Sequence, residues 1–289
     1  MEAKKAAGLS LLGAQMRRSA LEMVYRATSG HLGGSMSLCE ILAVLYFDKM
    51  RVDPTNPGDP DRDRFVLSKG HCTPALYSAL AMRGFFPMET LFTFRDIDGH
   101  LSGHAAMHHV PGVDMSTGSL GQGVSAAAGM ALAAKMKNPD VNVYTLLGDG
   151  EIEEGECWEA FMFANHYKLD NLCIMIDVNG LQIDGPTAKV MNSEPLDQKM
   201  DAFGFNTIIC NGNSLADLEQ AFILFDRSHG SGKPTCFLLH TTKGLGVSFM
   251  ENAVDWHGKA PNDAEYDKAM AELRASYEVM EKEAERING

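Results

Sequence analysis

Glycine and carboxylate residues cluster after an apolar run near the middle of the chain. The stretch "GDGEIEEGECWEA", residues 148–160, directly follows "VNVYTLL". A glycine turn between a strand and a helix suits a phosphate group, because backbone N–H groups there point at the ligand. Yet this turn is crowded with acidic residues: Asp149, Glu151, Glu153, Glu154 and Glu156. A phosphate bound here would need a cation between it and the carboxylates.

Asn179 supplies a second oxygen donor for such a cation. It stands in "DVNGLQIDG", at the end of the next apolar run, and 28 residues separate it from Gly150. Two adjacent parallel strands would aim Asp149 and Asn179 at one point. A carboxylate, an amide oxygen and a backbone carbonyl are hard donors, which favour Mg²⁺ or Ca²⁺ over zinc. Gly-Asp-Gly alone is a common turn, so the metal hypothesis depends on Asn179.

Four of the ten histidines stand in glycine-flanked loops. These are His31 in "SGHLGGS", His71 in "SKGH", His104 in "SGHAA" and His257 in "WHGKAP". Imidazole titrates near neutrality, which makes these four candidates for proton transfer or ligand binding. The other six are expected to be packed or surface residues: His100, His108, His109, His166, His229 and His240.

Strand and helix patterns alternate along the chain. Apolar runs predict strands at 64–68, 141–150, 171–180, 205–210 and 235–244. Helical spacing covers residues 3–28, 37–50, 73–84, 124–137 and 214–228. This alternation predicts an α/β fold with an open, mostly parallel sheet and helices on both faces. Ligands in such folds collect at the carboxyl ends of the strands, and the Gly- and His-rich segment 95–123 predicts a long functional loop.

Composition argues against several classes of function. The formal net charge of −13 disfavours binding to nucleic acid or an anionic membrane, although it permits a local cationic site. The six cysteines are scattered without a CxxC pair, which argues against a zinc site and favours a reducing, cytoplasmic compartment. No stretch has the length and apolar character of a membrane span or a secretion signal. We expect a single domain over residues 1–289, with 262–289 as a C-terminal helical extension.

Six motifs together resemble those of the transketolases. Gly148-Asp149-Gly150 followed by Asn179 is similar to the signature of enzymes that bind thiamine diphosphate. The histidine loops, "STGSLGQG" (116–123) and "TTKGLG" (241–246) follow in the transketolase order between residues 29 and 260. The resemblance implies the thiamine diphosphate-binding fold, in the form that binds the diphosphate.

The resemblance also implies roles for individual residues. Asp149, Asn179 and the carbonyl of Leu181 would hold Mg²⁺, with Ca²⁺ as the alternative, and the metal would hold the cofactor diphosphate. Cofactor contacts are implied for His71, Gly118, Ser119, Leu120, Gly148, Asp149, Gly150, Asn179 and His257. His31 and His104 would contact sugar hydroxyls and assist proton transfer. With Glu154 and His257 they form the implied catalytic set.

Glu154 is implied to act across a subunit interface. In transketolases the equivalent glutamate pairs with another glutamate that activates the aminopyrimidine of the cofactor, and two nearby carboxylates favour sharing a proton. That second glutamate belongs to a pyrimidine-binding domain, which finds no match in this chain. The resemblance therefore implies the N-terminal subunit of a split transketolase, active only with a separate C-terminal subunit in an α2β2 heterotetramer.

The implied reaction is the reversible transfer of a two-carbon ketol unit from a ketose phosphate to an aldose phosphate, as in the pentose phosphate pathway. The cofactor would perform the bond cleavage, and the protein would supply orientation and charge. For Glu151, Glu153 and Glu156 we expect no such role. They would support the following helix through its dipole or be solvated.

Three alternatives share much of this pattern. One is a related thiamine enzyme, such as 1-deoxyxylulose-5-phosphate synthase or the first component of a 2-oxo-acid dehydrogenase complex. Another is a split transketolase for an unusual sugar, such as apulose or a sulfo-sugar, which would carry every motif above. The third is a non-catalytic thiamine diphosphate-binding subunit. His31 and His104 argue against the third, because cofactor binding alone would not need them.

Overall fold

Seven strands are present in the computed structural model, which describes residues 1–288 (of residue 288, the backbone alone). They are β1 (Arg64–Leu67), β2 (Val143–Gly148), β3 (Leu172–Val178), β4 (Leu181–Gln182), β5 (Gly185–Pro186), β6 (Asn206–Asn211) and β7 (Thr235–His240). Five of them form one sheet in the order β1-β2-β3-β7-β6, and every neighbouring pair is parallel. The predicted open parallel sheet is confirmed.

Ten α-helices accompany the strands in the described residues. They are α1 (Ala3–Ala27), α2 (Gly33–Met36), α3 (Cys39–Val44), α4 (Thr73–Arg83), α5 (Gln122–Lys137), α6 (Gly155–His166), α7 (Thr187–Val190), α8 (Leu196–Ala202), α9 (Leu215–Ser228) and α10 (Asp263–Asn288). A π-helical turn at Leu45–Lys49 continues α3. Each predicted helix is present, and α4 ends at Gly84 as expected, because Gly84 adopts the left-handed conformation that closes a helix.

Helices cover both faces of the sheet, since the strands are apolar on both sides. Tyr144 and Leu146 of β2 pack into a core shared with α1, α3, α4 and α9. Val143 and Leu147 of the same strand pack into a second core with α5, α6 and α8. Successive side chains of a strand point to opposite faces, so one continuous apolar run serves both cores.

Four loops meet at the carboxyl edge of the sheet, after β1, β2, β3 and β7. The segment between Phe94 and Gly121 contains neither an α-helix nor a strand, as predicted for residues 95–123, and Gly121 immediately precedes α5. The loop after β1 packs closely against the first turn of α5: a Cβ on Gly123 would lie 2.6 Å from Cα of Ser68. Only glycine permits this approach, so the start of α5 lies against the end of β1.

The C-terminal helix α10 packs along α1. Ala269, Met270 and Leu273 are buried in the first core, and the rings of Tyr25 and Tyr266 stack with centroids 3.9 Å apart. Helix α10 occupies the segment predicted as a C-terminal helical extension from Asp263 to Asn288, and Gly289 lies outside the described residues. Among residues 1–288, no helix combines the length and apolar character needed to cross a bilayer.

The sequence does not predict the antiparallel β4–β5 hairpin. Its two strands have only two residues each, which is too short to show an alternating pattern. The hairpin directly follows Asn179 and Gly180. It therefore continues the chain from the carboxyl end of β3, where the predicted metal ligand Asn179 lies.

Candidate active site

A cavity opens at the carboxyl edge of the sheet, between the loops that follow β1, β2, β3 and β7. Eight residues with a predicted cofactor or metal contact line it: His71, Leu120, Gly148, Asp149, Gly150, Asn179, Leu181 and His257. Six further residues line the same cavity: Gly34, Lys69, Glu151, Gln182, Ile183 and Lys243. The fold thus brings the residues predicted to contact the diphosphate and those predicted to bind the metal into one cavity.

A larger depression lies elsewhere, around the amino end of β1. It contains Arg62 and Asp114 but none of the predicted site residues. The charge of Arg62 is paired with Asp114 in an ion pair. The predicted cofactor and metal ligands line the smaller cavity instead.

Asp149 and Asn179 approach each other because β2 and β3 are adjacent and in register. Gly148 is paired with Asp177 at the ends of the two strands. Oδ2 of Asp149 accepts a hydrogen bond from the N–H of Gly180 at 2.6 Å, across the two loops. Oδ1 of Asn179 accepts one from the N–H of Leu181 at 3.1 Å. The two side chains therefore belong to one hydrogen-bonded loop pair.

Asp177 orients Asn179 and was not among the sequence predictions. It is completely buried at the end of β3, and its Oδ2 accepts a hydrogen bond from Nδ2 of Asn179 at 3.1 Å. By holding the amide N–H₂ group, Asp177 leaves the amide oxygen of Asn179 on the other side. The only signal in the sequence is that Asp177 lies two residues before Asn179 in an otherwise apolar run.

Asp177 forms a buried ion pair with Lys69. Burial disfavours the charged form of both groups. The attraction between the two opposite charges is larger than this effect. The pKa of Lys69 is raised and that of Asp177 is lowered. Lys69 lies in the loop after β1, inside the "SKGH" motif, and it brings a positive charge to the cavity.

Lys243 is a second buried cation at the cavity. Its Nζ donates to the carbonyl of Leu181 at 3.1 Å and lies 2.8 Å from Nδ1 of His257. Burial and the charge of Lys69 both lower the pKa of Lys243. Both lysines stand inside quoted motifs, in "SKGH" and "TTKGLG", but their charges could be assigned to the cavity only once the loops were folded together.

The oxygen donors at the cavity fit a divalent cation. Asp149 is 3% exposed, and burial together with the neighbouring charge of Asp177 raises its pKa to about 7. Burial and Asp177 thus outweigh the charge of Lys69 and the backbone N–H groups of Gly150 and Gly180, and a metal would supply further positive charge. The carbonyl of Leu181 and the amide of Asn179 complete a set of hard donors. Within residues 1–288, no cluster of three or more His, Cys, Asp and Glu side chains offers another metal site.

The four loop histidines form one cluster beside the cavity. The ring centroid of His31 lies 4.9 Å from that of His71, 5.6 Å from that of His257 and 6.1 Å from that of His104. Among the described residues, Nδ1 of His31 is buried without a hydrogen-bond partner. The other six histidines are exposed, as expected for surface residues.

Burial and nearby cations hold the clustered imidazoles neutral. Burial, Arg95, His104 and Lys243 lower the pKa of His31 to about 4. Burial, Lys243 and other neighbouring cations lower the pKa of His257 to about 3, and burial also lowers that of His71. Neutral imidazole can both donate and accept a hydrogen bond, so the cluster can bind hydroxyl groups near pH 7.

Arg95 is a further charged group near the histidines that the sequence predictions missed. Its Nη1 donates to Oγ of Ser29 at 3.2 Å, and after burial its charge is the main cause that lowers the pKa of His104. It belongs to the long loop before α5, where no motif distinguished it from other surface arginines.

Gly118 and Ser119 lie beside the cavity rather than in it. They line a neighbouring shallow depression with the residues before them in the same loop. A Cβ on Gly118 would approach Cδ2 of His104 to 3.1 Å, so the loop packs directly on that imidazole. Leu120, which directly follows Ser119, lines the cavity that contains Asp149 and is 41% exposed.

The acidic stretch separates into residues with different surroundings. Glu154 is exposed and lies outside the cavity, with its side chain beside Gly121. Glu153 and Glu156 are partly exposed. Of the two alternatives for Glu151, solvation is wrong, because its carboxylate is 3% exposed and accepts three hydrogen bonds.

Comparison with known proteins identifies a family match. Residues 11–284 match the family model described as "Transketolase, thiamine diphosphate binding domain". The chain is 44% identical over 275 residues to one subunit of the apulose-4-phosphate transketolase of Phocaeicola vulgatus, covering 95% of this chain and 97% of that one. It is 46% identical over 258 residues to a 6-deoxy-6-sulfo-D-fructose transketolase subunit of a Clostridium species, covering 89% and 93% of the two chains.

Single-chain relatives are much longer than this chain. The transketolase of Mus musculus is 40% identical over 246 residues, which are 85% of this chain and only 38% of that protein. Among solved structures, the transketolase of Campylobacter jejuni superposes with a TM-score of 0.85 at 29% identity, covering 97% of this chain and 48% of that one. The chain therefore spans less than half the length of these relatives.

In His31→Gln, the free energy of unfolding is expected to fall less than in the wild type when the pH is lowered. The pKa of His31 is about 4 in the folded chain and 6.5 in an unfolded one, so between these values only the unfolded state binds the proton. The contribution of the neutral ring to the free energy of unfolding is therefore fully present above pH 6.5. It is lost as the pH falls toward 4. Solvent that reaches the half-buried ring screens part of the effect.

Urea unfolding of the cofactor-free proteins at pH 7 and pH 5 measures this difference. We expect the free energy of unfolding of the wild type to fall by about 1 kcal/mol more than that of His31→Gln. All other titratable groups are common to both proteins, so the comparison isolates His31. An identical fall in both proteins would contradict the neutral imidazole.

Proposed function

This chain belongs to the transketolase family, as a form of its thiamine diphosphate-binding domain, and we propose that it is the diphosphate-binding subunit of a two-chain transketolase. With its partner it transfers a two-carbon ketol unit reversibly from a ketose phosphate to an aldose phosphate. One observation carries the proposal: eight residues predicted separately from scattered motifs line a single cavity, together with Lys69 and Lys243.

The cavity has the charges that a metal–diphosphate group needs. Asp149, Asn179 and the carbonyl of Leu181 would hold Mg²⁺, and the raised pKa of Asp149 supports a cation there. Lys69, Lys243 and the donors of His71 and His257 face the same space and would bind the phosphate oxygens. The acidic turn and the diphosphate are compatible because the cation lies between them.

The histidine cluster would serve the sugar end of the site. Thiamine diphosphate, when bound, supplies the carbon nucleophile and accepts the electrons of the cleaved C–C bond. His31 and His104 remain neutral at pH 7, so each can hydrogen-bond a sugar hydroxyl and hold a proton during transfer. Arg95 adds a positive charge near both rings, which suits an anionic substrate.

A separate pyrimidine-binding chain would complete the site. The chain covers 97% of a relative named as a subunit but 38% of a single-chain transketolase. Glu154 is exposed beside the cavity, and the apolar side chains of Leu120 and Ile183 are 41% and 62% exposed at its edge. Such exposed groups around a cofactor site favour coverage by a partner. We propose an α2β2 assembly in the cytoplasm, where free cysteines persist.

The sugar pair is the open part of the proposal. Two of the relatives are named for apulose 4-phosphate and for 6-deoxy-6-sulfo-D-fructose, so a dedicated sugar substrate of this kind is the second candidate beside the common pentose phosphates. Retention of the histidine cluster favours either of these over a protein that only binds the cofactor, since neutral imidazoles are suited to a hydroxyl-bearing substrate.

Reconstitution tests the proposed function. The chain is mixed with a separately produced pyrimidine-domain chain, thiamine diphosphate and Mg²⁺, and transfer is assayed between xylulose 5-phosphate and ribose 5-phosphate. Apulose 4-phosphate and 6-deoxy-6-sulfo-D-fructose, the sugars in the relatives' names, are assayed in parallel. We expect activity only when both chains are present. Robust activity from this chain alone would contradict the two-chain claim, and inactivity of the mixture with every sugar pair would favour a binding-only role.

Asp149→Ala is expected to abolish metal-dependent binding of thiamine diphosphate, because it removes the one charged oxygen of the metal set. Calorimetric titration of the cofactor into the reconstituted complex, with and without Mg²⁺, measures the affinity. Asp140→Ala is the control, since Asp140 is an exposed acid before the opposite end of β2. An affinity equal to that of the wild type would remove Asp149 from the site.

Glu154→Gln is expected to keep cofactor affinity while turnover falls roughly 100-fold, the usual scale for loss of a proton-transfer partner. The exposed carboxylate can share a proton with a carboxylate of the partner chain, whereas an amide cannot. Steady-state rates and the calorimetric Kd of the reconstituted complex separate the two effects. Glu156→Gln is the matched control from the same acidic stretch. Normal turnover in Glu154→Gln would return Glu154 to the solvated acids.

A further inference from the structure

Glu151 connects three loops through one buried carboxylate. Its Oε1 accepts hydrogen bonds from Oγ of Ser68 at 2.5 Å and from the N–H of Gly121 at 3.1 Å. Its Oε2 accepts one from the N–H of Gly148 at 3.0 Å. The residue is 3% exposed, so water cannot replace these contacts.

Each hydrogen-bond donor adjoins residues that line the cavity. Ser68 immediately precedes Lys69 in the loop after β1, Gly121 immediately follows Leu120, and Gly148 immediately precedes Asp149. The donors come from three segments that are distant in sequence: Ser68 lies 83 residues and Gly121 lies 30 residues before Glu151. A single side chain thus sets the relative position of three parts of the cavity wall.

A carboxylate suits this position better than any other side chain of its size. Three donors converge on it, and an ionised carboxylate accepts at both oxygens without presenting a proton of its own. Glutamine at the same position would aim N–H groups at a backbone N–H, which leaves a buried donor unpaired and separates the loops.

We propose that Glu151 is a positioning residue, which holds the loops of Lys69, Leu120 and Asp149 in the arrangement that binds the metal and the cofactor diphosphate. It touches neither the reacting atoms nor the predicted metal donors through its carboxylate. This inference rests on the proposed function for its effect on the cofactor, whereas its effect on loop geometry does not require the cofactor.

The first test compares Glu151→Gln with Asp63→Asn. Asp63 is also buried and also accepts backbone N–H groups, from Arg51 and Asn142 at 2.8 Å each, but it lies at the amino end of β1. Both variants replace a buried carboxylate by its amide, and Asp63→Asn also removes the ion-pair partner of Arg51, so the control loses at least the same kind of contact. We expect the Kd for thiamine diphosphate with Mg²⁺ in the reconstituted complex to rise roughly 10- to 100-fold in Glu151→Gln alone.

An equal rise of Kd in Asp63→Asn, or no rise in Glu151→Gln, would overturn the positioning role, because general loss of stability would then explain the result. Ser68→Ala keeps the test available if Glu151→Gln fails to fold. It removes one of the three donors and is expected to raise Kd several-fold. In the double variant the two effects should be less than additive, since both changes break the same contact.

The second test needs no cofactor and therefore separates this inference from the proposed function. Amide hydrogen exchange is measured on the chain by itself. We expect the amides of Gly121 and Gly148 to exchange at least about tenfold faster in Glu151→Gln, while Asp63→Asn leaves them unchanged. Unchanged protection in Glu151→Gln would overturn the proposal. A wild type that shows this protection but binds no cofactor would contradict only the proposed function.

Discussion

The buried carboxylate of Asp177 is the contact on which the whole site depends. It lies at the end of the central strand β3, is completely buried, and pairs with Lys69 from the loop after β1. Ser37 and Thr241 donate to it from two further segments, and Asn179 donates from its own loop. Removing one partner of a buried ion pair typically costs about 3–5 kcal/mol because it leaves the other charge buried and uncompensated, so the site requires Asp177 and Lys69 together.

The charges of the site explain how an acidic protein can accommodate a diphosphate. The chain carries a net charge of −13, yet the buried cations Lys69 and Lys243 face the cavity. Asp149 contributes a carboxylate whose pKa is raised to about 7 by burial and by Asp177, which is the environment that attracts a metal ion. Local arrangement, rather than net charge, therefore decides what binds.

Acids of one short stretch differ in burial, and the proposed function gives them different roles. Glu151 points inward and connects the loops of the cavity, whereas Glu154, three residues later, is exposed beside Gly121. In the proposed two-chain enzyme the inward acid keeps this half of the site in shape, and the outward acid meets the other half. The 3₁₀ turn Glu151–Glu153 between them sends the two side chains in different directions.

Residue types and spacing by themselves determined the parallel sheet, the loops that meet at its carboxyl edge, and the approach of Asp149 to Asn179. The four loop histidines were singled out by the resemblance of their motifs. Apolar runs and glycine turns are local signals, so they can be read along the chain. Only the tertiary structure decided the roles of Lys69, Asp177 and Lys243 and the burial of Glu151. Burial and pairing depend on what folds over a side chain, and for Glu151 that includes Ser68, which is 83 residues away.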